Sequence, residues 1–169
     1  MWLHTKPVKR ILLHIFSITS IATVSVGYAH ADNLRPFDGQ SFAQIKEEFS
    51  GKPFVLSLWS IDCAPCRVEL KLLGEIKQND PDFSLVIIST DLLEDREEAL
   101  DILDSYGLAE FESWMFADAF VEKLRFSIDP LWHGELPRSY FFAQDHSFEA
   151  HSGVLNREQL QEYFPHISD

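Results

Sequence analysis

Cys63 and Cys66 are the only cysteines in the chain, and they lie where an apolar run gives way to a helical pattern. That placement constrains the fold more than any other feature. A structural disulfide gains most by closing a long loop, and a bridge across two residues closes almost none. The pair therefore suits a reversible redox couple or half of a metal site rather than a staple. Upstream, Phe54-Val55-Leu56-Ser57-Leu58-Trp59 is short and apolar, the pattern of a buried strand. Downstream, Val68, Leu70, Leu72, Leu73 and Ile76 predict a helix over 64–78, ended by Asn79-Asp80-Pro81. A strand thus runs into a turn carrying Cys63, and a helix opens there. The free N–H groups and positive dipole end of a helix stabilise a thiolate in its first turn. The thiolate is the nucleophile of disulfide exchange, so position alone activates Cys63. Pro65 fits the first turn because it needs no N–H partner there. Cys66, one turn in, is the more buried sulfur and is placed to resolve a mixed disulfide.

The other elements follow the same logic. Residues 32–39 read as an irregular lead-in. Ser41 is a candidate N-cap, with Phe42, Ile45 and Phe49 at helical spacing behind it. Residues 83–89 form a second buried strand, and 94–106 a helix with an acidic start that suits its dipole, closed by Gly107. Residues 114–116 are a short strand and 119–126 a short helix. Residues 139–142 and 147–151 make paired strands, and 155–164 a closing helix with Asn156 as its cap. Helices alternating with buried strands argue for an α/β three-layer sandwich, a central mixed sheet flanked by helices, with an antiparallel edge from the last two strands.

The start of the chain has a different character. Lys6, Lys9 and Arg10 precede an uncharged, mostly apolar run, and Ala29-His30-Ala31 offers small residues at a cleavage site. This is the layout of a secretory signal peptide over residues 1–31, with 32–169 as the exported domain. The competing reading is an uncleaved anchor through residues 11–31, a run just long enough to span a bilayer. Ser17, Thr19, Ser20, Thr23 and Ser25 lower its hydrophobicity and favour cleavage. An exported chain is expected in a periplasm-like compartment. The formal net charge is −13 for the whole chain. It becomes −16 without residues 1–31, which carry three basic and no acidic residues. Such a charge disfavours nucleic acid and anionic membrane surfaces as partners.

The run Trp59-x-x-x-Cys63-x-x-Cys66-Arg67-x-Glu69 resembles the thioredoxin superfamily, and within it the TlpA/ResA-like exported thiol–disulfide oxidoreductases. Residues 83–91 resemble that family's second core strand. Gly134-Glu135-Leu136-Pro137-Arg138-Ser139-Tyr140-Phe141 resembles its cis-proline segment, and the chain from Gly153 onward its ending. The resemblance covers roughly residues 38–165. It implies a thioredoxin-like fold, a redox-active disulfide at Cys63 and Cys66, and no cofactor. It also implies a cis Leu136–Pro137 bond whose backbone edge receives an extended substrate chain beside the nucleophilic sulfur. Trp59 would line the centre, and Trp132 would either contribute to the substrate surface or cover the core. The chain departs from thioredoxin itself at three places: Asp62 where an aromatic residue stands, Ser57 where a buried aspartate stands, and Gln144-Asp145-His146 in place of a glycine turn.

Three charged neighbours complete the candidate site. Glu69, three residues past Cys66, is either a proton acceptor for that cysteine or a solvated helix carboxylate. Asp62 raises the pKa of a neighbouring thiol, and Arg67 offsets it if its side chain turns back. The acidic stretch 91–104 reads as the solvated face of a helix. The implied partners are protein thiols and disulfides, together with an upstream electron donor such as a membrane thiol carrier. Two other readings stay open at this point. One is a redox-sensitive or metal-carrying binding module on the same fold, which needs ligands beyond the cysteines; His133, His146, His151 and His166 lack the expected spacing. The other is a thiol peroxidase, for which Ser60 has the right offset but Cys66 is too close.

Overall fold

The computed structural model describes residues 1–2 and 33–167. The expected signal segment therefore lies outside the described residues, Met1 and Trp2 apart. The elements in chain order are β1 (Leu34–Phe37), α1 (Ser41–Glu48), β2 (Phe54–Trp59), α2 (Ala64–Asn79), β3 (Leu85–Leu92), a 3-10 turn (Leu93–Asp95), α3 (Arg96–Ser105), β4 (Ser113–Phe116), α4 (Val121–Ile128), β5 (Arg138–Phe142), β6 (Phe148–Ser152) and α5 (Arg157–Tyr163). The six strands form one sheet in the order β1-β4-β3-β2-β5-β6. The first four are mutually parallel, β5 pairs antiparallel with β2, and β6 pairs antiparallel with β5. The mixed sheet and its antiparallel edge are as the sequence predicts.

β2 lies in the middle, and every one of its residues is buried. Its side chains alternate between two faces. Phe54, Leu56 and Leu58 pack with Phe42 and Ile45 of α1 and with Leu124 and Ile128 of α4. Trp59 joins Cys66 and Leu70 of α2 and Ile102 and Leu103 of α3, while Val55 meets Leu73 of α2 and Leu160 of α5. Two helices therefore cover one face and three the other, which makes the three-layer sandwich.

The lead-in expected over 32–39 is in fact strand β1, paired in parallel with β4. Pro36 hides it from the pattern, since proline interrupts a strand reading yet is tolerated on an edge strand. The turn between β5 and β6, which lacks glycine, uses His146 at φ 63° as its left-handed residue. Asn156 caps α5 in a full capping box with Gln159.

Candidate redox site

Cys63 is the N-cap of α2, and its Sγ accepts the Cys66 backbone N–H at 3.2 Å. Cys63 and Cys66 are joined as a disulfide within this first turn. Cys66 is fully buried, while Cys63 is partly exposed and Ala64 and Pro65 are exposed. Pro65 sits in the first turn, where an N–H would have no partner in the helix. The more accessible sulfur is thus the one at the positive end of the helix. The two sulfurs differ both in accessibility and in their distance from the helix start.

The turn before Cys63 is held from two sides. The Ile61 N–H donates to Asp91 Oδ2 at 2.8 Å, and Arg67 Nη2 donates to the Ile61 carbonyl at 2.7 Å. Asp91 is itself fixed by Ser89 Oγ at 2.6 Å, and Thr90 Oγ1 donates to the Trp59 carbonyl at 3.3 Å. Arg67 therefore does turn back, but onto the backbone of the turn. Asp62 is exposed. In the sequence Asp91 merges with the acidic stretch that follows and carries no local signal of this role. Its place at the end of β3, next to the end of the paired strand β2, gives it this role.

Glu69 is 1% exposed, which removes the solvated reading. Its Oε1 accepts hydroxyl protons from Ser57 and Ser139, each at 2.7 Å, and its Oε2 accepts the Leu155 N–H at 2.9 Å. It stands one turn beyond Cys66, a spacing that brings helical side chains together. Ser57, which replaces the aspartate of thioredoxin, thus serves a carboxylate that comes from the helix.

Leu136–Pro137 is cis. Pro137 is buried, and its carbonyl accepts the Gly153 N–H at 3.0 Å. Leu136 and Cys63, far apart in sequence, both pack against the core cluster that holds Trp59 and Cys66. Trp59 is 1% exposed and part of that cluster. Trp132 is 4% exposed and packs under the sheet, and its indole N–H donates to the Glu135 carbonyl at 2.9 Å. Of its two sequence readings, core cover is the one that fits this burial. Among the described residues, no group of three or more His, Cys, Asp or Glu side chains is arranged to hold a metal ion. No helix among them is long and apolar enough to cross a membrane.

No family model matches the sequence, and no curated protein matches it either. Solved structures do. A secreted disulfide oxidoreductase of Mycobacterium tuberculosis, homologous to E. coli DsbE, is similar with a TM-score of 0.57 at 20% identity, over 70% of this chain and 84% of its own. The thioredoxin domain of a thiol-disulfide oxidoreductase from Bacteroides vulgatus gives 0.55 at 16% identity, over 70% and 81%. A thioredoxin-related protein from Neisseria meningitidis serogroup B gives 0.56 at 18% identity, over 67% and 82%. The chain has a thioredoxin-like fold, and its cysteine pair opens the helix that follows the central strand.

Proposed function

We propose that the chain is a thiol–disulfide oxidoreductase that reduces disulfides of exported proteins. The observation that carries this reading is the state of Cys63: it caps α2, is partly exposed, and is bonded to the buried Cys66 of the same turn. The bonded pair is the product state of the reaction. In the reduced protein, the Cys63 thiolate attacks one sulfur of a substrate disulfide. The substrate S–S bond breaks, and one substrate thiolate leaves and takes a proton from water. Cys66 then gives up its thiol proton and attacks Cys63 Sγ. The mixed disulfide breaks, and the second substrate thiolate leaves and is protonated in turn. Two electrons have passed to the substrate, and an upstream dithiol, for which a membrane thiol carrier is suited, reduces the pair again.

We assign the Cys66 proton to Glu69, the carboxylate one turn further along the same helix. Leu136 and Pro137 provide the substrate edge. Because the Pro137 carbonyl is already taken by Gly153, pairing falls to the backbone at Leu136. Trp59 and Trp132 support this surface from beneath. Export of the chain, by a cleaved signal over residues 1–31 or by an anchor there, is supported by the sequence pattern. It also agrees with the secreted character of the similar M. tuberculosis protein.

Insulin reduction driven by a dithiol tests the activity, and a Cys66→Ser variant tests the route. The wild type is expected to turn over, and the variant to accumulate a covalent adduct through Cys63. Absence of turnover, together with stoichiometric zinc in the purified protein, would favour a metal-carrying module instead.

A further inference from the structure

The sheet brings two serines to one carboxylate. Ser57 of β2 and Ser139 of β5 are directly opposed across the antiparallel pair. Both hydroxyls donate to the same oxygen of Glu69. Ser57 and Glu69 are 1% exposed and Ser139 is 0%. Ser57 interrupts the otherwise apolar FVLSLW, and Ser139 stands between Arg138 and the aromatic run Tyr140–Phe142. A hydroxyl in such a place costs free energy unless it is hydrogen-bonded, so a mere space-filling role calls for alanine. The third donor, the Leu155 N–H, occupies the other oxygen. Three donors converging on two oxygens match a group that only accepts, as a carboxylate does and a carboxylic acid does not.

We propose that Ser57 and Ser139 are positioning residues for the resolving step, holding Glu69 as the acceptor of the Cys66 proton. The proposal rests on the assignment of Glu69 made above. In that step the Cys66 S–H bond breaks and its proton passes to the Glu69 carboxylate. The sulfur's electron pair forms the bond to Cys63 Sγ, and the substrate sulfur departs with the electrons of the mixed disulfide. Glu69 later returns the proton to water. Ser139 lies two residues past Pro137, so the strand that follows the substrate edge also carries one of the two hydroxyls. Docking segment and proton acceptor are thereby tied to one strand.

A stoichiometric aromatic disulfide such as dithiodipyridine separates the two steps. Reduced full-length protein releases one coloured thione when Cys63 attacks and a second when Cys66 resolves the adduct. Ser57→Ala and Ser139→Ala, made singly, each leave one hydroxyl on Glu69 and are checked for folding by thermal melting. If one fails to fold, the other carries the test. The expected result is an unchanged first phase and a second phase slowed about tenfold, a fraction of the roughly 10²–10⁴-fold that a whole general acid–base group contributes, since one hydroxyl remains on Glu69. In a Glu69→Gln background the serine substitution should add nothing, because it acts through Glu69. An unaffected second phase would overturn the proposal, as would serine effects that add to that of Glu69→Gln. A wild type without a first phase would instead overturn the oxidoreductase reading, so the two failures are distinguishable.

Discussion

Successive residues of β5 serve two buried carboxylates on opposite faces of the sheet, and the two are held by different chemistry. Ser139 points to Glu69 and Tyr140 to Asp129. Asp129, 4% exposed, meets Arg138 Nη2 at 3.2 Å, the Tyr140 hydroxyl at 3.1 Å and the Leu131 N–H at 2.9 Å. Burial pushes the Tyr140 phenol well above its ordinary pKa, so it remains a protonated donor. Arg138 extends the network to Glu135 at 3.1 Å and Ser152 at 2.6 Å. The charge on Asp129 is thus neutralised inside a closed network that braces the loop leading to Pro137. Glu69 is held by uncharged donors, and on α2 it stands one turn beyond Cys66, whose thiol gives up a proton in the proposed reaction. A carboxylate locked to a guanidinium is suited to holding structure, whereas one cradled by neutral donors can exchange a proton without breaking an ion pair.

The largest expected effect tests the structural half of this contrast. Asp129→Ala leaves the largely buried Arg138 without its deepest partner and should cost about 3 kcal/mol in denaturant unfolding. Both thione-release phases of the molecules that remain folded should be unchanged. A variant as stable as wild type would show that Asp129 contributes no net stability. Next comes Glu69→Gln, which should slow the resolving phase about 100-fold, the lower end of typical general-base contributions. If it instead lowered stability as much as Asp129→Ala and left both phases intact, the two carboxylates would be alike. The smallest effect concerns the half-exposed Asp91. Asp91→Ala frees the Ile61 N–H and should cost about 1.5 kcal/mol, as for a hydrogen bond to a charged group. Preferential labelling of Cys63 should survive it, because the helix start is untouched.

The contrast between these sites also explains what a reading of the chain alone can reach. β2 and α2 were legible because each is a continuous local pattern, apolar in one case and helical in the other, and the cysteines sit at their junction. The cis-proline segment was legible only through its resemblance to a known family. β1 was missed because Leu34 and Phe37 are buried three apart, a spacing that does not alternate, and Pro36 breaks the run. Glu69 stood undecided because nothing local says whether a helix carboxylate is dry. Its donors come from Ser57, Ser139 and Leu155, on three separate parts of the chain. The same holds for Asp91, whose partner is the Ile61 backbone, 30 residues earlier. Trp132 looked as much like a docking surface as a core residue, because its burial depends on how the loop after α4 folds under the sheet.

The proposed reaction requires the two cysteines to differ in role, because one caps a helix at the surface and the other lies in the core. Brief iodoacetamide treatment of the reduced protein at neutral pH, followed by peptide mass spectrometry, tests it most directly. Cys63 should carry nearly all of the early label, with Cys66 modified only after unfolding. Equal labelling of the two, or faster labelling of Cys66, would contradict the assignment of Cys63 as nucleophile and with it the order of steps proposed for the reaction.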